Sequence, residues 1–170
     1  RTIELHPEGM DIHSTIFYLP GGANIFPASA MQFSLMEKLA VKSNSRVVAC
    51  LYPLGPETDC LRSMDIVEDV YRRHVGTAPR TEPVIIAGDS AGGGRALHLS
   101  QRLMSSKSKA RQADGLVLIS PTLDDSTTNP EIPELEKNAG PSFTAEAGRL
   151  AARLYAGPSI QDLQDPRVSP

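Results

Sequence analysis

Four short apolar runs punctuate this chain, Thr15 to Leu19, Val47 to Tyr52, Val84 to Ala87 and Leu116 to Ile119, with longer stretches of helical period between them. Three of the four are rich in Val and Ile and nearly continuous. Runs of that kind mark strands covered on both faces, as in a parallel sheet sandwiched between helices. The stretches between them carry helix signals. Ser29-Ala30-Met31-Gln32 has the spacing of a capping box, and Met31, Leu35, Met36 and Leu39 follow on one predicted face. Leu61, Met64, Val67, Tyr71 and Val75 form a second stripe at spacings of three and four. Ala96, Leu97, Leu103 and Met104 mark a third helix starting just after Ser90, and Thr144 to Tyr155 a fourth, stopped by Gly157-Pro158. Strands alternating with helices imply right-handed crossovers. The expected fold class is therefore α/β, a three-layer sandwich around a mostly parallel sheet.

At 170 residues the chain fits one domain, residues 1–170, able to bury roughly two thirds of its unfolded surface. A hydrophobic fraction of 40% against 22% charged residues fits a folded globular chain. The net charge of -3 excludes the basic excess of a nucleic-acid surface. No apolar run approaches the ~18 residues of a membrane span, and the start of the chain (Arg1, Glu4, His6) has no signal-peptide core. The compartment stays open, with the cytoplasm as default. Cys50 and Cys60 are too few for a disulfide framework or a zinc site, and Cys50, inside a strand-like run, reads as a buried thiol. Thr122 to Pro141 breaks the rhythm with three prolines and with Glu131, Glu134 and Glu136. It reads as a solvated surface excursion, with a rim or lid as the alternative.

The sharpest local signal is Gly88-Asp89-Ser90-Ala91-Gly92, a G-x-S-x-G element with an apolar strand before it and a helical pattern after it. This context suits a nucleophile. The serine sits on a strained strand-to-helix turn, glycines two residues to either side let the turn close, and the helix N-terminus faces a developing oxyanion. A glycine turn that binds phosphate is the competing reading, but G-x-x-x-x-G-K-[ST] is absent. Upstream, Pro20-Gly21-Gly22-Ala23 follows another strand, and a turn of small residues there lets backbone N–H groups point into a cavity.

Together the two motifs resemble the hormone-sensitive-lipase-like branch of the α/β-hydrolases, which carries His-Gly-Gly-Gly after one strand and Gly-Asp-Ser-Ala-Gly-Gly after a later one. Tyr52-Pro53-Leu54-Gly55-Pro56-Glu57, Glu68-Asp69, Leu116 to Pro121 and Asp165-Pro166-Arg167-Val168-Ser169-Pro170 are similar to further landmarks of that family. The resemblance runs from about Thr15 to Pro170. It implies an α/β-hydrolase fold, incomplete at both ends, with Ser90 as the catalytic nucleophile. It implies an oxyanion hole at Gly21, Gly22, Ala23 and Ala91, in which Gly21 allows the turn and the other three supply N–H groups. Pro20 stands where the family has His, and Ala23 where it has its third Gly. Asp89 is expected to point away from the site and brace the elbow. Ser-His-Asp chemistry needs neither metal nor cofactor.

A serine nucleophile needs a base and an orienting carboxylate, in the chain order Ser, acid, His. The histidines are His6, His13, His74 and His98, and none follows residue 98. His98 is eight residues past Ser90, about 12 Å along a continuing helix, too far to take its proton. Asp124, Asp125, Asp162 and Asp165 are the tempting acids, but the resemblance places the family's acid and base beyond Pro170. Asp165 is then a landmark. The first reading is accordingly a serine esterase or lipase-like hydrolase, for which the resemblance implies small or medium acyl esters as substrates. Its remaining triad residues lie outside this chain, as on a companion chain, and the chain alone would be a very poor enzyme. The second is a non-catalytic ligand-binding protein on the same fold, like the plant gibberellin receptors that resemble this family. A truncated product without function is the third.

Overall fold

The computed structural model describes residues 1–76, 78–105, 110–139 and 144–170. Five strands, β1 (Thr2–Leu5), β2 (Ser14–Leu19), β3 (Ser45–Cys50), β4 (Val84–Asp89) and β5 (Gly115–Ile119), alternate with α1 (Ala30–Ser43), α2 (Cys60–His74) and α3 (Ser90–Met104). Two further helices follow β5, α4 (Ile132–Ala139) and α5 (Ala145–Ala156). The sheet order is β1-β3-β2-β4-β5, parallel from β3 to β5, with β1 antiparallel on the far edge. From β2 the chain steps outward to β3, then returns to lay β4 on the other side of β2. That reversal opens a crevice beyond the carboxyl ends of β2 and β4, where α/β sheets bind their ligands.

The two faces of β2 show why the layers form. Phe17 and Leu19 pack with Val48 and Ile86 against Met64, Val67, Tyr71, Leu99 and Leu103 of α2 and α3. Ile16 and Tyr18 point the other way, with Val47 and Ala49, onto Met36 and Ala40 of α1. Each large apolar side chain so buried stabilises the fold by about 1.5–3 kcal/mol. Phe17 and Tyr71 meet edge to face, ring centres 5.2 Å apart. A third cluster, including Cys60, Ala152, Tyr155, Leu163 and Val168, ties α5 and the segment after it to α2. Cys50 and Cys60 are buried free thiols, and burial pushes them up to about 12 and about 11.

Several local expectations are corrected. Strand β3 starts at Ser45 and ends at Cys50, two residues earlier than its apolar run, because Ser45 already pairs with Ser14, their hydroxyls 2.6 Å apart. The capping box forms at Ser29 and Gln32, yet Met31 is 82% exposed, since the buried stripe of α1 runs through Met36 and Ala40. On α3 the core positions are Ala96, Leu99 and Leu103, while Met104 faces solvent. Strand β5 is not covered on both faces. It pairs only with β4 among the described residues, leaving Leu116, Val117 and Ile119 exposed. Strand β1 carries no long apolar run; Ile3 and Leu5 alternate with exposed Glu4, as suits an edge strand. The excursion from Thr122 holds α4, whose Leu135 is exposed; its last two residues, 140 and 141, lie outside the described residues.

Candidate active site

Ser90 stands where β4 ends and α3 begins, at φ +51°, a left-handed conformation that costs a non-glycine residue about 1–3 kcal/mol. Close packing holds it there. A Cβ on Gly88 would lie 2.4 Å from the carbonyl oxygen of Gly92, and one on Gly92 would lie 2.1 Å from that of Leu19. The elbow is therefore pressed against the end of β2, and glycine is required on both sides. On the other flank Thr122 N–H donates to the Ser90 carbonyl at 3.0 Å, closing the segment after β5 onto the turn.

The segment after β2 folds back beside the serine. Ile25 and Phe26 N–H groups donate to the Gly22 carbonyl at 3.0 and 2.7 Å, and Gly22, Ala23 and Asn24 take φ values of +145°, +49° and +62°. The N–H groups of Gly22 and Ala23 lie within this run. Among the described residues no acceptor takes them up, nor that of Ala91 in the first turn of α3. The Gly21 N–H is different: it donates to Asp89 Oδ1 at 3.0 Å, so Gly21 supplies the turn and not a free donor.

Asp89 points away from the crevice and braces both walls. Its Oδ1 also accepts from the Tyr18 hydroxyl at 2.8 Å, and Oδ2 accepts from Gln32 Nε2 at 2.9 Å. The same Nε2 donates to the Gly21 carbonyl at 3.2 Å. Burial, then the Asp89 carboxylate, raises the Tyr18 hydroxyl far above its ordinary value and keeps it a donor. Sequence reasoning found Gln32 only as a cap and Tyr52 only as a landmark; the Tyr52 hydroxyl donates to the Pro20 carbonyl at the head of the loop. Asn24 and Arg95 were missed, although an arginine inside the apolar pattern of α3 is itself a signal. An apolar cavity of about 120 Å³ lies beside the loop, lined by Pro20, Phe26, Phe33, Leu51, Tyr52 and Leu54.

No histidine is brought to Ser90 among the described residues. His74 Nδ1 meets Glu4 Oε1 at 2.7 Å on a wide cleft shared with Arg46 and Glu82 near the opposite ends of the strands, and His6 lies 3.5 Å from the same carboxylate. His13, exposed, precedes β2. His98 stays on α3, where burial first, then Arg102 and Arg95, lowers it to about 4 and keeps the ring neutral. Of the candidate acids, Asp165 is held at about 2 by hydrogen bonds from Arg167. Asp124 accepts from Ser126 N–H, and Asp162 from Gln164 N–H. Asp125 is pushed up to about 6 by burial. Among the described residues no group of three or more His, Cys, Asp or Glu side chains is placed to hold a metal, and no helix is long and apolar enough to cross a membrane.

A switch-point crevice, with a serine turn on one side and a glycine loop on the other, defines the class of α/β hydrolases. A family model described as alpha/beta hydrolase fold matches residues 16–170, and the chain belongs to that family. It is 33% identical over 155 residues to an esterase of Acinetobacter venetianus, covering 91% of this chain and 50% of that protein. It is 33% identical over 134 residues to Esterase LipU of Mycobacterium tuberculosis, covering 78% of this chain and 41% of that protein. The chain thus spans about half the length of the curated relatives it matches. A crystal structure of an esterase from the bacterial hormone-sensitive lipase family superposes with a TM-score of 0.79 at 24% identity, over all of this chain and 59% of that one. The fold expected from the motifs is the fold found.

Proposed function

We propose that this chain carries the nucleophile and oxyanion-binding part of a serine carboxylic-ester hydrolase. One observation carries the reading: Ser90, strained at the head of α3, stands beside a loop whose Gly22 and Ala23 N–H groups, like that of Ala91, have no acceptor among the described residues. In the proposed reaction Ser90 Oγ attacks the ester carbonyl carbon while its proton passes to a histidine base supplied from outside these 170 residues. The carbonyl oxygen becomes the oxyanion held by the three N–H groups, where one such donor is worth about 10²–10³ in rate. Collapse expels the alcohol, which takes up the proton, and leaves an acyl group on Ser90. Water, deprotonated by the same base, then releases the acid. The relatives named esterases favour carboxylic esters as substrates, and the apolar cavity beside the loop suits a small or medium acyl group.

The test is p-nitrophenyl butyrate turnover by the protein together with the segment or companion that supplies the base, and by its Ser90→Ala variant. Turnover lost in the variant is the expected result. Without the base the two proteins are expected to share a residual of about 10³–10⁴ over the uncatalysed rate, which the oxyanion donors and binding supply, and a complete triad exceeds that by several orders of magnitude. Equal rates in both proteins with the base present would overturn the reading and leave a ligand-binding relative in its place.

A further inference from the structure

Arg95 lies five residues past Ser90 on α3 and is only 2% exposed. Its guanidinium cannot shed its proton, so a full charge sits in the interior. The hydrogen bonds it makes go to neutral groups. Nε donates to Asn24 Oδ1 at 2.8 Å and Nη1 to Ser63 Oγ at 2.8 Å, while Nη2 is buried without an acceptor among the described residues. The guanidinium carbon lies over two rings, 4.0 Å from the centre of Tyr52 and 4.3 Å from that of Tyr155. An apolar side chain of similar volume would fill this space without the desolvation cost of a buried cation.

What an apolar residue could not do is hold Asn24. Asn24 is buried in the left-handed region at φ +62°, directly after Ala23 at +49°, and its carbonyl accepts from Gly55 N–H at 2.9 Å. Tyr52, beneath the guanidinium, donates its hydroxyl to the Pro20 carbonyl. Both ends of the segment from Pro20 to Asn24 therefore depend on groups that Arg95 touches, and the Gly22 and Ala23 N–H groups lie between those anchors. Ser63 passes the connection on, donating to the Pro53 carbonyl at 2.8 Å.

We infer that Arg95 is a positioning residue: by gripping Asn24 and backing Tyr52, it sets the direction of the Gly22 and Ala23 N–H groups that the proposed ester hydrolysis uses as oxyanion donors. The inference rests on the Ser90 reading for its consequence, but the geometry can be tested apart from it. Three variants serve. Arg95→Met keeps length without charge, Arg95→Lys keeps charge without the planar fork, and Asn24→Ala removes the acceptor while leaving the arginine.

The first measurement is amide exchange of Ile25, Phe26 and Gly55 by NMR, whose N–H groups donate to the Gly22 and Asn24 carbonyls and so report on the loop without turnover. In R95M these amides are expected to exchange about tenfold faster or more, while β2 and β4 amides keep their wild-type rates. Unchanged loop amides overturn the inference, whatever Ser90→Ala does; if R95M does not fold, N24A carries the same readout. The second is p-nitrophenyl butyrate kinetics, measured with the segment or companion that supplies the base present. R95M is expected to lower kcat about 10- to 100-fold with KM nearly unchanged, because misaimed donors weaken the transition state more than the bound ester. N24A should reproduce the loss, the double variant should be no worse than the worse single, and R95K should recover part of the rate. Additive losses, or a normal kcat in folded R95M, overturn it. Absence of Ser90-dependent turnover would sink the Ser90 reading alone, and the amide result would still decide the role of Arg95.

Discussion

Asp89 receives three hydrogen bonds from three elements, from the Tyr18 hydroxyl on β2, the Gly21 N–H in the loop and Gln32 Nε2 on α1. All three partners are donors, so the site needs acceptors only, which a carboxylate supplies and an amide does not. Asp89→Asn would turn an NH2 toward at least one of those donors. The expected loss is about 1–3 kcal/mol, the cost of a donor left without its acceptor in a part-buried site. Urea denaturation of the variant beside wild type measures it, and a midpoint within error of wild type would refute this account. The motif predicted that Asp89 faces away from the site; that it joins the loop to the elbow depends on Tyr18 and Gln32, which lie 71 and 57 positions away.

Among the elements, α1 shows one residue serving two scales. Ser29 and Gln32 form the reciprocal capping box, Ser29 N–H donating to Gln32 Oε1 at 2.7 Å. Loss of such a cap costs about 0.5–2 kcal/mol. Gln32 uses its other end, Nε2, on Asp89 and the Gly21 carbonyl, so the start of α1 is bolted to the loop beside Ser90. Gln32→Ala is therefore expected to destabilise more than Ser29→Ala, by about 1 kcal/mol for the extra hydrogen bonds. Thermal unfolding of the two variants side by side checks the order. The capping box was legible because its partners are three residues apart, whereas its second task joins residues that only the sheet brings together.

For the whole molecule, the antiparallel edge strand β1 is fastened to the body by charge as well as by its ladder. Glu4 meets His74 at the end of α2 at 2.7 Å, and Arg46 of β3 at 3.6 Å. The hydrogen bond from His74, opposed in part by burial and aided by Arg46, holds the Glu4 carboxyl below its usual 4.5. A folded value below the unfolded one means that stability is present above about pH 4.5 and lost as pH falls through the folded value. Wild type should therefore lose more stability than Glu4→Gln on acidification from pH 5 to 3, read from denaturation midpoints at each pH. Parallel curves would show that the clasp contributes nothing. At the other edge, β5 leaves Leu116, Val117 and Ile119 exposed beside an outer side unpaired among the described residues.

Local patterns in the sequence determined the strand–helix alternation, the cap of α1 and the elbow at Ser90, because apolar period, capping chemistry and glycine spacing act within a few residues. Edge strand β1, with four residues and one alternation, falls below what such patterns resolve. The placement of β4 beside β2, and not beside β3, is a tertiary decision, and it puts Ser90 next to Gly21. The use of Gln32, Tyr52, Asn24 and Arg95 as braces is decided there too. Each acts on a group far away in sequence, through a hydrogen bond or ring contact that forms only once the sheet and helices are packed.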